Sequence, residues 1–349
     1  MSLFKEMLSS EESLFRDEEV LEFSHMPKLV PYREDEQRAL AAAIQPLFQK
    51  RNGKNLFVYG KPGVGKTLAL RKVLDELEEK TDDIVPLYIN CWQKNTSFKV
   101  FEDACGQLGR LSVQNNGVED LFQAMQKEIG EKACVFVFDE IDRMEDLDFL
   151  YSILEGISKK SIILITNYEE WLKKVEDRIT SRLMLTNLHF DEYGPDETRG
   201  ILQQRIKYAF VPGVLGEDAF NMILDAAISR GDIRSGLFLL KEAGGFAEER
   251  SSRKIEKGDA AKAISSLDDR GVGGNDGLDK ELRKIIEIVK SDGPLKMKAL
   301  FGKYEEKGGE SAYRTFFRKV MKLGEQNHVS LEKKSGGAEG TTTIVSVAN

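Results

Sequence analysis

Cysteine and histidine are scarce in this chain, which has three of each among 349 residues. Cys91, Cys105 and Cys134 lie far apart with no paired spacing, so neither a disulfide framework nor a zinc site is expected. Long apolar runs are also lacking, because the longest, such as residues 133–138, are too short to cross a bilayer. The N-terminus has no apolar segment of the kind found in secretory signals. These absences predict a protein of the reducing cytoplasm with no membrane segment.

Basic residues are the minority charge, with 51 Lys and Arg against 59 Asp and Glu. Their distribution is uneven: residues 278–349 carry 14 basic and 10 acidic side chains, a net of +4, and residues 1–277 therefore carry a net of −12. Such asymmetry is expected when one module of an otherwise acidic protein contacts phosphate. The apolar share of 41% is typical of a globular protein, and the length predicts two or three domains.

Apolar segments of strand length alternate with segments of helical periodicity in the first half of the chain. The predicted strands cover residues 56–60, 84–89, 134–138 and 162–166. This alternation predicts an α/β fold with a parallel, doubly wound sheet. From residue 195 the periodicity is helical without intervening strands, which predicts a small helical lid.

The last part of the chain has a different pattern, in which three predicted helices precede two short strands. Three helices and a β-hairpin are the components of a winged helix-turn-helix. A stretch rich in Gly and Asp separates this segment from the lid and is typical of a linker. The predicted domains are the α/β core with its N-terminal segment at 1–194, the lid at 195–267, the linker at 268–277 and the winged helix at 278–349.

Residues 60–67 match the P-loop pattern G-x-x-x-x-G-K-[ST] between a predicted strand and a predicted helix. The glycines allow backbone N–H groups to converge on phosphates, and the helix N-terminus adds a positive field. We expect Lys66 to contact the β- and γ-phosphates of ATP and Thr67 to hold Mg²⁺. A chance glycine turn is the alternative, and the flanking elements disfavour it. The residues predicted to bind ATP or ADP here are Gly60, Lys61, Pro62, Gly63, Val64, Gly65, Lys66 and Thr67.

Two carboxylates follow the apolar strand at 134–138. Asp139 is predicted to lie near Mg²⁺ at the carboxyl edge of the sheet, and Glu140 to orient or deprotonate the attacking water. An acidic helix cap is the alternative. Asn167 ends the next strand, where an amide can position water, although Asn there is often only a turn residue. Arg234 on a lid helix can point to the γ-phosphate, although an isolated arginine is more often a solvated charge.

A P-loop core with a helical lid indicates an AAA+ ATPase, and the order of features resembles one family within that class. It resembles the archaeal replication initiators related to origin recognition complex subunit 1 and cell division control protein 6, over about residues 13–347. The segments that carry the resemblance are Phe15–Leu21, Pro31–Glu34, Asn90-Cys91 with Thr96, Asp139–Asp142, Asp177–Leu183 and Gly231–Arg234.

The resemblance assigns roles to several residues. It implies that the N-terminal segment lies against the adenine, with Arg33 in the nucleotide site, and that Asn167 and Arg234 are sensors 1 and 2. It also makes Arg182 the finger that reaches a neighbouring subunit's ATP, with Arg178 as the competing choice.

The chain departs from the family pattern in three places. A DNA-gripping insertion would fall within residues 108–125, where Arg110 is the only basic residue, so this contact is left open. Tyr32 stands where the family often has histidine, and the C-terminal domain is shorter than usual. The preferred origin sequence therefore need not follow the common pattern.

The third C-terminal helix carries basic residues at intervals of four. Arg314, Arg318 and Lys322 share one face and predict a recognition helix that enters the major groove. An ordinary amphipathic helix with a solvated charged face is the alternative. The residues expected to pack on the other side are Phe317, Val320, Met321 and Leu323.

Each basic side chain of this segment suits a particular DNA contact. Arginine can read guanine, and Lys319 and Lys322 suit phosphate. Lys333 and Lys334, predicted at the tip of the wing, can reach an adjacent minor groove or the backbone.

Together these features predict an ATP-dependent replication initiator with slow, switch-like hydrolysis. The implied partners are double-stranded DNA at replication origins, the replicative helicase, and other copies or sibling initiators, which places the protein on the nucleoid in the cytoplasm. Helicase loading follows from the resemblance alone. Two alternatives stay open: a DNA motor of the branch-migration type, and a regulatory ATPase whose winged helix binds protein.

Overall fold

The computed structural model describes residues 13–109, 117–270, 280–309, 311–325, 329–336 and 340–347. The chain divides into two compact units between residues 263 and 264. The finer division into core, lid, linker and winged helix stays a prediction. None of the helices in the described ranges is long and apolar enough to cross a membrane.

A five-stranded parallel sheet forms the centre of the first unit, in the strand order β2-β3-β4-β1-β5. Every residue of β3 is buried, as expected of a central strand covered on both faces. The predicted α/β fold with a parallel sheet is thereby confirmed. The strands are β1 Leu56–Tyr59, β2 Ile84–Asn90, β3 Ala133–Asp139, β4 Lys160–Thr166 and β5 Thr186–His189.

Alternate residues of each strand supply two separate cores, one on each face of the sheet. Phe136 and Phe138 of β3 pack with α3, α4, α5 and α6, whereas Val135 and Val137 pack with α1 and α2. The sheet is therefore held between two helical layers, and its carboxyl edge is left for side chains that follow the strands. These helices are α1 Glu34–Ile44, α2 Lys66–Lys80, α3 Ser97–Gln107, α4 Val118–Ile129, α5 Asp148–Gly156 and α6 Asp177–Leu183.

Four helices follow the sheet, as the periodicity from residue 195 predicts. They are α7 Pro195–Ala209, α8 Glu217–Arg230, α9 Ile233–Glu249 and α10 Lys257–Arg270. Asp232 caps α9, since its side chain accepts a hydrogen bond from the Arg234 backbone N–H at 2.9 Å. Residues 268–270, predicted as the start of the linker, continue α10 instead. Asp and Arg cost a helix less than glycine does, and Gly271 comes directly after them.

From residue 280 onward, the described part of the second unit contains three helices and a small antiparallel sheet in the order β6-β8-β7. Its element order is the one predicted for a winged helix-turn-helix, with β6 as an unpredicted addition. A strand of two residues is too short for periodicity to reveal. The elements are α11 Lys280–Asp292, β6 Leu295–Lys296, α12 Met297–Glu306, α13 Tyr313–Glu325, β7 Val329–Gly336 and β8 Gly340–Val347.

Two predictions within this unit are wrong in detail. Phe316, not Phe317, packs in the core, because Phe316, Val320 and Leu323 share the face of α13 that meets Tyr304. Lys333 and Lys334 lie within β7, paired with Thr343 and Thr342, and not in the predicted turn. The two strands of the hairpin extend further toward the turn than their apolar residues indicate, because the residue pairs nearest the turn are not apolar.

Phe316→Ala is expected to destabilise the second unit by about 3–5 kcal/mol, because it removes a fully buried ring. The matched control is Phe317→Ala, whose ring is 38% exposed and whose loss should cost less than about 1 kcal/mol. Hydrogen exchange on the full-length protein would show faster exchange in α11–α13 for Phe316→Ala only. Equal effects of the two variants would contradict the packing of α13.

Candidate functional site

A cavity of about 310 Å³ lies at the carboxyl edge of the sheet in the first unit. The P-loop (residues 60–67), the ends of β3 and β4, residues 22–26 of the N-terminal segment and the lid helices α7 and α9 all contribute to its lining. Most of the residues predicted for the nucleotide site therefore meet in one place.

Lys66 is a buried cation at the floor of this cavity. Its Nζ donates to the carbonyl oxygens of Gly60 at 2.7 Å and Lys61 at 2.8 Å, and to Asn167 Oδ1 at 2.8 Å. It forms no ion pair with any carboxylate in the described part of the chain. Burial lowers the pKa of Lys66 to about 8, against the opposing influence of Asp139. An uncompensated buried cation favours binding of an anion.

The P-loop glycines allow the lid to approach closely. Gly63 has a φ of 80°, and a Cβ there would lie 2.0 Å from Asp232 Oδ1 at the start of α9. Gly65 has a φ of 89°, and its Cβ would lie 2.6 Å from the Tyr193 hydroxyl. Any side chain at these positions would strain the backbone, and it would meet Asp232 of the lid at Gly63 or Tyr193 at Gly65.

Several oxygen atoms, some of them able to coordinate a divalent cation, lie close together around Asp139. Thr67 Oγ1 donates to Asp139 Oδ2 at 2.6 Å, and the Tyr88 hydroxyl donates to the same oxygen at 2.7 Å. The Glu140 backbone N–H donates to the other carboxylate oxygen at 2.9 Å. A threonine hydroxyl and an aspartate carboxylate are suitable ligands for Mg²⁺. The sequence analysis does not predict Tyr88 as a site residue. The feature that could have identified it is a polar side chain near the end of β2, the strand that neighbours β3.

Glu140 lies in the left-handed region, with a φ of 56°, and its side chain lines the cavity. Burial raises the pKa of its carboxyl group, and the neighbouring charges of Asp139 and Asp142 raise it further. Glu140 occupies the N-cap position of a short 3-10 helix, and its side chain makes no capping hydrogen bond there. A strained backbone beside a cavity indicates a functional position.

Asn167 and Arg234 also line the cavity. Asn167 accepts the hydrogen bond from Lys66, whereas Arg234 forms a bidentate pair with Asp232, with Nε to Oδ1 at 3.0 Å and Nη2 to Oδ2 at 2.7 Å. The structure therefore brings both predicted sensors to the same cavity, with Arg234 held by the residue that caps α9.

Arg33 is not among the residues that line the cavity. It is buried, with Nε donating to the Val64 carbonyl at 2.9 Å and Nη2 to the Asp191 carbonyl at 2.5 Å, and it stacks on the Tyr193 ring at 4.0 Å. Its guanidinium therefore contacts the P-loop through the Val64 carbonyl without lining the cavity. The predicted direct contact with the nucleotide does not follow from this position.

Arg205 lines the cavity and was not predicted from the sequence. It is buried on α7, donates from Nη1 to the Val20 carbonyl at 3.1 Å, and burial lowers its pKa. The sequence does contain a signal for this residue. Positions 201, 202, 205 and 209 recur with helical spacing and form the buried face of α7, and Arg205 is the charged residue among them.

Arg182 and Arg178 lie on α6 and do not line the cavity of their own chain. Arg182 pairs with Glu155 and stacks over the Tyr151 ring at 4.8 Å. Arg178 Nε pairs with Glu176 at 2.6 Å. The choice between the two as a finger stays open.

In the second unit, Arg314 and Arg318 are exposed on α13 and make no ion pair with the described side chains. Lys319 differs, since its ammonium pairs with Glu281 of α11, which does not favour the predicted phosphate contact. The side chains of Lys322, Lys333 and Lys334 lie outside the described ones. So do residues 110–116 of the predicted insertion.

Comparison with known proteins agrees with this geometry. Residues 49–173 match the AAA domain family, and residues 199–265 match the Cdc6 AAA+ ATPase-type lid domain. The chain is 28% identical to ORC1-type DNA replication protein 2 of Methanosarcina acetivorans, over 97% of this chain and 95% of that protein. It is 30% identical to the ORC1-type DNA replication protein of Cenarchaeum symbiosum, over 74% of this chain and 68% of that protein.

The structure of the Aeropyrum pernix ORC1 protein in complex with DNA is similar over nearly the whole chain. The TM-score is 0.72 at 26% identity, with 98% of this chain and 95% of the other covered. A P-loop core, a lid of the Cdc6 type and full-length relatives of one kind all agree. The chain therefore belongs to the family of ORC1-type DNA replication proteins, which are AAA+ ATPases.

Proposed function

We propose that this protein is an ATP-dependent replication initiator that binds origin duplex DNA and helps to load the replicative helicase. Lys66 is the observation that carries the proposal. Among the described residues, the partners of its buried ammonium are carbonyl and amide oxygens, and the cavity also holds Asp139, Glu140 and Arg234. A triphosphate supplies anionic oxygens that can bond to this ammonium directly.

ATP or ADP would bind with its phosphates at the P-loop. Lys66 exchanges its bonds to the Gly60 and Lys61 carbonyls for bonds to phosphate oxygens, and the N-terminus of α2 adds its positive field. Thr67 and Asp139 would hold Mg²⁺, since their oxygens already lie 2.6 Å apart. Bound Mg²⁺ neutralises charge on the β- and γ-phosphates.

Hydrolysis requires a water molecule held near Glu140. The Glu140 carboxylate accepts the proton of this water, and Asn167 orients it once Lys66 has turned to the phosphates and released the amide. The αL backbone of Glu140 directs the residue away from the path of β3 and into the cavity. Asp139 thereby stays with the metal while Glu140 faces the water.

Slow turnover is expected of a single chain. Arg234 supplies one cation from the lid. Arg182 of α6 pairs with Glu155 of α5 and does not line the cavity of its own chain. An arginine finger contributes orders of magnitude to phosphoryl transfer. We propose that a neighbouring copy or a sibling initiator completes the site, so that ATP acts as a switch.

DNA binding is proposed for the exposed face of α13. Arg314 and Arg318 are one helical turn apart, exposed, and opposite to the buried Phe316. This arrangement suits a recognition helix, with arginines available for guanine or phosphate. The Aeropyrum pernix ORC1 protein, similar over nearly its whole length, is described in complex with DNA. Helicase loading and a nucleoid location rest on family membership.

Lys66→Ala should weaken ATP binding by about 30-fold or more, because it removes the buried cation that meets the phosphates. Titration with a fluorescent ATP analogue measures the affinity. Lys80→Ala, at the exposed end of the same helix α2, is the matched control and should bind normally. Unchanged affinity in Lys66→Ala would show that the nucleotide does not bind in this cavity.

Glu140→Gln should retain ATP but lose hydrolysis by about 10²–10⁴-fold, because the amide is similar in shape but accepts no proton. Single-turnover hydrolysis with radiolabelled ATP, measured beside the binding constant, separates the two effects. Wild-type turnover in this variant would exclude Glu140 as the base.

Arg314→Ala combined with Arg318→Ala should weaken duplex binding and leave ATP hydrolysis unchanged. If both side chains contact phosphate, the slope of log K against log salt falls by about two units. The charge-matched control is Lys290→Ala with Lys307→Ala, two exposed lysines of the same unit outside α13. Equal losses in the two double variants would indicate a general charge effect and not a recognition helix.

The rival functions differ in measurable ways. A branch-migration motor hydrolyses ATP quickly, is stimulated by DNA and forms hexameric rings, whereas a switch turns over slowly. A regulatory ATPase whose winged helix binds protein shows no steep salt dependence with duplex DNA. Mapping the protein on its own chromosome would distinguish an origin-bound initiator from both.

A further inference from the structure

The N-terminal segment docks on the lid through its backbone. Residues 13–21, here named the strap, run beside the end of α7: the Arg16 N–H donates to the Ala209 carbonyl at 2.8 Å, and the Val211 N–H donates to the Leu14 carbonyl at 3.0 Å. Phe15 pairs with Phe210 as an antiparallel bridge. Although it begins the described chain, the strap is structurally part of the lid.

Side chains of α9 hold the strap from a second direction. Glu248 accepts hydrogen bonds from Ser13 Oγ at 2.6 Å and from the Leu14 N–H at 2.7 Å. Lys241 Nζ lies 3.0 Å from Glu18 of the strap and also pairs with Glu22. The strap is therefore fixed to two lid helices at once.

Residues 22–26, here named the wall, follow the strap and line the nucleotide cavity. Residues 23–29 make only one backbone–backbone bond with the described chain, the local turn from the His25 N–H to the Glu22 carbonyl at 3.2 Å. Fixed contacts to the core resume at Val30, which is buried, and Arg33. The position of the wall is therefore set by its two ends, and the strap supplies one of them.

Phe15 and Gly244 form the tightest contact between strap and lid. A Cβ on Gly244 of α9 would lie 2.3 Å from Cζ of the Phe15 ring and 3.0 Å from both Cε atoms. The ring also packs against Phe210, with centroids 4.9 Å apart. The adjacent Gly245, on the same helix, has no atom within 4 Å of the corresponding position. An added methyl group at 244 would therefore require the Phe15 ring to shift, whereas one at 245 would meet no atom within 4 Å.

We propose that Phe15 and Gly244 are positioning residues of the nucleotide pocket, because their contact fixes the strap to the lid and so holds the wall in place. The inference rests on the proposed nucleotide site. It implies that the wall moves with the lid, so that opening the lid removes one side of the pocket. Nucleotide affinity then depends on a contact that touches no part of the nucleotide.

The wall acts on a part of the cavity that ATP and ADP share. His25 in the wall lies near Arg205, where burial and the arginine charge lower its pKa, whereas Arg234 lies near Glu140. Loss of the wall should therefore weaken ATP and ADP binding equally. A change at Arg234 should affect ATP more than ADP, since only ATP has a γ-phosphate.

The test compares Gly244→Ala with Gly245→Ala in the full-length chain. If the added methyl leaves the strap docked in about one molecule in ten, the apparent Kd for both nucleotides rises about tenfold in Gly244→Ala. Gly245→Ala should bind as wild type, although both changes favour the helix. Hydrogen exchange should show loss of protection at the Arg16 and Asp17 amides in Gly244→Ala only.

A double variant separates positioning from general damage. Phe15→Leu removes the Cε and Cζ atoms that meet the added methyl, so Phe15→Leu with Gly244→Ala should recover most of the affinity. If Gly244→Ala does not fold, Phe15→Ala, which removes the ring and adds nothing, should show the same equal loss for ATP and ADP. Equal affinities of the two glycine variants, or no recovery in the double variant, would overturn the proposal. A wild-type chain that binds no nucleotide would instead refute the nucleotide site itself.

Discussion

The buried ammonium of Lys66 is the constraint on which the site depends. A lysine taken from water without a carboxylate partner is costly, and the chain reduces this cost with two P-loop carbonyls and the Asn167 amide. These oxygens lie at the end of β1 and the end of β4, which the parallel sheet places at one edge. The fold therefore maintains a positive centre whose best partner is a polyanion from solution.

The lid lies close to this centre because side chains pack directly against the backbone of glycine residues. Asp232 contacts the P-loop where Gly63 has no side chain, and Phe15 contacts α9 where Gly244 has none. In both places a side chain packs against a glycine, so that an added Cβ would meet that side chain. One of these contacts lies at the P-loop lining of the cavity, and the other lies outside the lining, where the strap meets α9.

Features that depend on neighbouring residues in the sequence could be predicted, and those that depend on distant ones could not. The P-loop, β3 and the acidic pair at 139 and 140 are local patterns, and all lie together as expected. Arg33 is predicted in the nucleotide site, but its partners include the carbonyls of Val64 and Asp191, which no local pattern reveals. Lys319 is similar, since Glu281 is distant in sequence. Helix phase caused the error at Phe317, because the adjacent Phe316 fits the same apolar pattern.

The arrangement of arginines explains why a switch is favoured over a motor. The lid arginine Arg234 is held by Asp232 at the cavity, whereas Arg182 of α6 is held by Glu155 and Tyr151 of α5. Within the described residues, a chain on its own brings the groups proposed to bind and sense the nucleotide to one cavity, whereas neither candidate for the finger on α6 lines it. Binding energy can then close the lid without immediate hydrolysis. Under the proposed function, the lifetime of the ATP-bound state would be set by the arrival of another subunit and not by the chemistry of the pocket itself.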